Sequence, residues 1–171
     1  MSKATSTVAG GAFLGTILAA NYVTTRYGMV PVGFGLLATA GTYFAGLSFV
    51  LRDAVHDTAG RRAVLALILA GAALSFAVSA TFIAVASAVA FLLSETADFA
   101  VYQPLRKRGY VRAAVASNAV GAVVDTVAFL TIAGFPLRQA FAGQMVGKLL
   151  MTAVVVGFVL AVRARREPVT A

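Results

Sequence analysis

The sequence predicts an all-α integral membrane protein, a bundle of six transmembrane helices with both termini on the cytoplasmic side. Three observations predict it. Hydrophobic residues make up 60% of the 171 and charged residues 12%, against about 25% charged in a soluble domain. That leaves too little polar surface to cover a globule in water, whereas lipid solvates an apolar exterior. The apolar residues gather into stretches long enough to cross a bilayer. The basic residues gather in alternate connections between those stretches.

A crossing helix needs about 20 mostly apolar residues. The stretches place helices over 8–24, 31–51, 63–79, 81–105, 113–133 and 139–162, within one domain spanning 1–171. Pro31 suits the first turn of the second helix, where its missing N–H would be unbonded anyway. The apolar run from Ala63 to Leu105 is too long for one crossing and fits a hairpin turned near Ser79–Thr81. Met1 to Thr7 lacks a basic segment ahead of a cleavable apolar one, so the first stretch is expected to remain as a helix.

With the N-terminus inside, the cytoplasmic segments hold Lys3, Arg52, Arg61, Arg62, Arg106, Lys107, Arg108, Arg112, Arg163, Arg165 and Arg166. These are eleven of the fourteen basic residues. The external loops hold Arg26 and Arg138, and Lys148 lies within the sixth helix. Such asymmetry in short loops is the positive-inside pattern of a multi-pass protein of the plasma (inner) membrane. The net charge of +8 is therefore an orientation signal. A nucleic-acid-binding surface would place the charges on one element, and no nucleic-acid partner is expected. The Arg106-Lys107-Arg108 cluster also suits anionic headgroups of the bilayer.

The absence of cysteine excludes disulfides, thiolate metal sites and cysteine nucleophiles. A single histidine, His56, makes no histidine-rich metal site, and no cofactor motif is present. Gly11, Gly15, Gly33, Ala40, Gly41, Gly143 and Gly147 allow close helix approach, which ordinary membrane packing explains.

Polar residues inside the apolar stretches are more informative, because an ionisable group in a span is costly and faces a cavity or a partner. Glu95, Asp98 and Tyr102 share one face of the fourth helix, unless that helix ends early and leaves the acids wet at the cytoplasmic edge. Asn118 and Asp125 share a face of the fifth helix, and Gln144 and Lys148 a face of the sixth. Asp125 and Lys148 lie about equally far from the turn at Phe135-Pro136, hence at one depth in an antiparallel hairpin. At 1.5 Å per residue Lys148 is on the order of 14 Å into its helix, too deep to snorkel easily. The two face each other or a shared ligand. Asn21 and Tyr22 lie at the outer end of the first helix, where interfacial anchoring competes with ligand contact. Arg52 and Asp53, followed by His56, Asp57 and Arg61, form either a solvated helix extension or a gating and coupling network.

Carboxylates, amides and a lysine beside Tyr43, Phe99 and Tyr102 define a cavity for a flat, polar, hydrogen-bonding molecule. Carboxylates accept adjacent ring N–H and amine donors, amides read carbonyls and ring nitrogens, and aromatic rings stack on the ring faces. A membrane enzyme using Glu95 and Asp98 as acid and base would lack an activated nucleophile, metal or cofactor, so no enzyme is expected.

These residues resemble the putative vitamin uptake transporter family, also described as queuosine precursor transporters. The resemblance runs through Ala20-Asn21-Tyr22, Arg52-Asp53 to Gly60-Arg61-Arg62, Glu95-Thr96-Ala97-Asp98-Phe99-Ala100-Val101-Tyr102 into Arg106, Ser117-Asn118 with Asp125-Thr126, and Gly143-Gln144 with Lys148. In order and spacing these cover most of the chain. The acidic residue often found after the second helix is Asp57 in this sequence. The resemblance implies import of a 7-deazaguanine such as preQ0 or preQ1, by the chain alone or as a homo-oligomer. Asn21, Tyr43, Glu95, Asp98, Phe99, Tyr102, Asn118, Asp125, Gln144 and Lys148 would form the substrate site. A second reading is the substrate-binding subunit of an energy-coupling-factor vitamin transporter, also a six-helix protein of this size. The chain has no Walker motif and cannot hydrolyse ATP itself.

Overall fold

A computed structural model describes residues 3–108 and 110–166. The side chains of Lys3, Arg106, Arg163, Arg165 and Arg166 lie outside the described residues. The elements are α1 (Lys3–Tyr27), β1 (Met29–Pro31), β2 (Leu37–Thr39), α2 (Thr42–Val78), α3 (Thr81–Arg106), α4 (Tyr110–Ile132) and α5 (Leu137–Arg166). Apart from one short hairpin, the elements among the described residues are all α-helices.

Burial is inverted relative to a soluble protein. Leu69, Phe76, Phe82, Leu149 and Phe158 are exposed, whereas Arg52, Glu95, Asp125 and Lys148 are buried. A lipid-facing exterior explains both, since apolar side chains are at home there and charges are not. Four helical stretches, 6–27, 42–78, 81–105 and 115–132, are long and apolar enough to cross a membrane.

The helix expected over 31–51 begins only at Thr42. Residues 29–39 instead form an antiparallel hairpin that pairs Met29 with Thr39 and Pro31 with Leu37. Gly33, Phe34 and Gly35 all have positive φ, at 93°, 54° and 70°. Three left-handed residues in succession cannot propagate a right-handed helix. Pro31, expected to open a helix, ends a strand instead. The strands are apolar enough to read as part of a crossing, and hydropathy carries no record of φ.

α2 reverses on itself. Gly60, at φ 80° and ψ 172°, is non-helical and divides the element. A straight helix of 37 residues would hold its ends about 55 Å apart. Instead both ends meet the same turn of α1. The Gly41 N–H donates to Thr24 Oγ1 at 3.0 Å, and Asn21 Nδ2 donates to Ser75 Oγ at 2.8 Å. The Ala80 N–H donates to Thr25 Oγ1 at 3.0 Å. The limbs 42–59 and 61–78 therefore run in opposite directions, close to the separate helices expected over 31–51 and 63–79.

The remaining helices continue the alternation. α3 and α4 pack antiparallel, with Ile83 against Ala133 at one end and Glu95 opposite Asn118 near the other. α5 lies along the first limb of α2 so closely that a Cβ on Gly147 would meet Thr42 Cγ2, and one on Gly46 would lie 2.8 Å from the Lys148 carbonyl. The hairpin docks on the start of α5, where a Cβ on Gly143 would strike the Leu37 carbonyl. The bundle thus has a hairpin end and a Gly60 end. Phe13, Ile17, Val55, Val64, Ile68 and Phe91 fill the core between α1, both limbs of α2 and α3.

Gly60 tests the reversal. Its φ and ψ lie in a region that is essentially glycine-only, so Gly60→Ala is expected to cost about 1–3 kcal/mol. Thermal unfolding of the purified variant in detergent should show a lowered midpoint, and an unchanged one would mean that the reversal does not depend on this residue.

Candidate functional site

The residues expected to form one site occupy two chambers, stacked along the bundle. The first, here named the closed chamber, lies toward the hairpin end and is lined by buried and half-buried residues. Asn21 and Thr24 of α1, Thr39 of β2, Ala45 of α2, Ser87 and Phe91 of α3, Asp125 of α4, and Gln144 and Lys148 of α5 line it. Its volume of about 30 Å³ is the room of one water molecule.

Lys148 anchors this chamber. Its Nζ donates to Asp125 Oδ2 at 2.6 Å and to Thr126 Oγ1 at 2.7 Å, and the residue is 2% exposed. The equal depth read from the hairpin turn is what brings the two charges together. They meet directly. One helical turn earlier on α5, Gln144 Nε2 donates to Thr39 Oγ1 at 2.6 Å and ties the hairpin to the bundle. Asn21 points inward to Ser75 and is buried, while Tyr22 beside it is exposed as an interfacial anchor would be. Tyr43 lines neither chamber, and its ring lies near Gly147.

The second chamber is a cleft of about 960 Å³ toward the Gly60 end. Arg52, Asp53, His56 and Asp57 of α2 line it, with Glu95, Asp98, Phe99 and Tyr102 of α3 and Ser117 and Asn118 of α4. It reaches the surface at Gln103 and Lys107, both exposed. Glu95 is 6% exposed and Asp98 half-buried, and both stand well before the end of α3. α3 continues helical to Arg106, through Pro104.

Arg52 sits at the head of the cleft and joins three helices. Its Nη2 donates to Asp53 Oδ1 at 2.7 Å and to Asn118 Oδ1 at 3.0 Å, and its Nη1 lies 3.2 Å from Glu95 Oε2. Asp98 Oδ1 is 3.9 Å from Nη2. Arg52 was counted above among the cytoplasmic loop charges. At 4% exposure, within the first limb of α2, it belongs to the interior instead. Spacing along one chain could not reveal this, because its partners come from other helices.

Three carboxylates thus share one guanidinium. Glu95 Oε2 and Asp98 Oδ1 are buried and receive no hydrogen bond from the described residues. Arg52 is close enough to attract both and aligned with neither. Surplus negative charge with bare acceptor oxygens is a receptor for N–H donors. Phe99 carries the Arg61 guanidinium over its ring at 4.1 Å, which clips the α2 reversal to α3. Phe49, Ser87, Phe91, Thr24 and Thr39 escaped the sequence reading, because single hydroxyls and phenylalanines in apolar runs are ordinary in membrane helices.

Buried charges around a cleft in a helical membrane bundle suit the passage of a small polar molecule. The chain belongs to the putative vitamin uptake transporter family, whose model matches residues 78–162, about half of its length. That stretch carries Glu95, Asp98, Asn118, Asp125, Gln144 and Lys148. No curated protein and no solved structure matches the chain. It is a multi-pass membrane protein of small-molecule uptake.

The Asp125–Lys148 pair makes a stability prediction. Removing one partner of a buried pair strands the other charge and costs about 3–5 kcal/mol, while removing both is close to neutral. Denaturant titration in detergent should find Asp125→Asn and Lys148→Met each strongly destabilised and the double variant largely restored. Additive losses in the double variant would mean that the two charges do not depend on each other.

Proposed function

We propose that the protein imports a flat, nitrogen-rich molecule, most specifically a 7-deazaguanine precursor of queuosine such as preQ0 or preQ1, and that the cleft is where it binds. The observation carrying this reading is that three carboxylates, Asp53, Glu95 and Asp98, share one guanidinium on the wall of a cleft that also has an amide and aromatic rings. A guanine-like edge offers adjacent N–H donors that match two such acceptors. Asn118 has an amide N–H left to donate to a ring carbonyl, since its Oδ1 is taken by Arg52. Tyr102 supplies a stacking wall.

The reversal at Gly60 supports six crossings, because the helical limbs alternate in direction along the chain. Arg61, Arg62, Lys107, Arg108 and Arg112 lie toward the Gly60 end, against Arg26 and Arg138 toward the other. This tally no longer needs Arg52. It supports a Gly60 end facing the cytoplasm with both termini, in the plasma membrane. The cleft then opens inward, as in a transporter poised to release its cargo. Gly11 and Gly15 on α1 would meet nothing within 4 Å, which leaves a smooth helix face suited to a partner subunit. Uptake that requires a co-expressed ATPase pair would favour the energy-coupling-factor reading.

Uptake of labelled preQ0 or preQ1 by cells unable to make queuosine tests the substrate. Asp98→Asn and Glu95→Gln are expected to abolish it with membrane insertion intact, and normal uptake by both variants would refute the site. For topology, a fluorescent protein fused after Arg166 should fluoresce and a phosphatase fused after Gly35 should be active. The reverse pattern would invert the orientation.

A further inference from the structure

The two chambers are built by the same faces of the same helices. Along one face of α2 the order is Ala45, Phe49, Arg52. Ala45 lines the closed chamber and Arg52 the cleft. On α3 Ser87 and Phe91 line the closed chamber, and Glu95 and Asp98 the cleft. On α4 the cleft has Asn118, and Asp125, two turns on, reaches the closed chamber. Residues three, four or seven apart share a helix face, so each helix presents one continuous stripe to a common axis.

Aromatic rings interrupt that axis. Phe49 lies one turn from Ala45 and one from Arg52, at the level between the chambers. Its ring centroid is 5.3 Å from the Arg52 guanidinium carbon and 5.9 Å from Lys148 Nζ, so it touches the buried cation of each chamber. Phe91 meets it at 6.3 Å between centroids and is backed edge-on by Phe13 at 6.2 Å. Phe49 borders neither volume itself. It lies between Arg52, in the wall of the 960 Å³ cleft, and Phe91 and Lys148, in the wall of the 30 Å³ chamber.

We propose that the closed chamber is a second ligand station in series with the cleft, and that Phe49, backed by Phe91, is the partition between them. This rests on the reading of the cleft as the site for a flat ring bearing adjacent N–H and carbonyl groups. The closed chamber carries the matching chemistry. Asp125 can accept N–H donors and Lys148 can donate to a carbonyl, and here the two satisfy each other. Ala20, Gly41 and Ala45 give it a wall of small residues. A χ1 rotation of Phe49, which is only half-buried, joins the two volumes without unfolding a helix.

The chain has no cysteine, so a single introduced thiol reports alone. In detergent micelles both ends of the bundle are open to a charged methanethiosulfonate reagent. Thiol labelling follows access, so Gln103→Cys, exposed in the cleft, should label fast and the buried Ser87→Cys of the closed chamber about tenfold slower or more. Adding Phe49→Ala should bring Ser87→Cys close to the Gln103→Cys rate, with preQ1 slowing it. Phe49→Tyr should leave it slow. Fast labelling of Ser87→Cys with Phe49 intact overturns the partition. So does slow labelling with Phe49→Ala, provided that variant keeps the parent's thermal unfolding midpoint in detergent, which shows the fold retained. Should that control fail, Phe49→Leu is the milder variant judged by the same criterion. If preQ1 slows Gln103→Cys but not Ser87→Cys with Phe49→Ala, the second station is overturned and the cleft reading stands. If preQ1 slows neither, the substrate reading falls, the station for it falls too, and the labelling rates alone decide the partition.

Discussion

Every charge inside this bundle has to find its partner within the protein, because lipid offers none. That constraint organises the interior. Lys148 is held by Asp125 and Thr126, and Arg52 by Asp53, Asn118 and Glu95. The first set joins α4 to α5, and the second joins α2, α3 and α4. No hydrophobic effect drives these helices together within a bilayer, where tails are as apolar as leucine. Interhelical polar contacts and close packing at Gly46, Gly143 and Gly147 do that work instead.

The two charge clusters differ in balance, and the difference separates structure from function. At Lys148 one cation meets one carboxylate with both hydrogen-bonded. At Arg52 one cation meets three carboxylates, and two acceptor oxygens stay bare. The first account of charges is closed, and the second leaves negative charge over. The same logic explains the volumes: a satisfied pair tolerates a chamber the size of a water, while unsatisfied acids border a cleft that reaches the surface.

Backbone geometry sets where these clusters fall. The reversal at Gly60 turns one long apolar element into two limbs, and brings Arg52 beside α3 and α4 instead of leaving it in a loop. The left-handed residues Gly33, Phe34 and Gly35 fold 29–39 into a hairpin, whose Thr39 then roofs the closed chamber through Gln144. Phe49 lies between Arg52 and Lys148 because the first limb of α2 runs beside α5.

Membrane residence, the helical class and the depth match of Asp125 with Lys148 were legible in the sequence, because hydropathy, charge placement and helical rise are local or additive properties. So were most of the inward-facing polar residues, since lipid makes each conspicuous on its own. The hairpin at 29–39 was not legible, because apolar residues in a strand and in a helix read alike. The division of nine of the ten expected residues between two chambers, the exclusion of Tyr43 and the central place of Arg52 belong to the tertiary structure alone. They depend on which helix faces which, and that is decided by side-chain contacts between segments as far apart as Arg52 and Asn118.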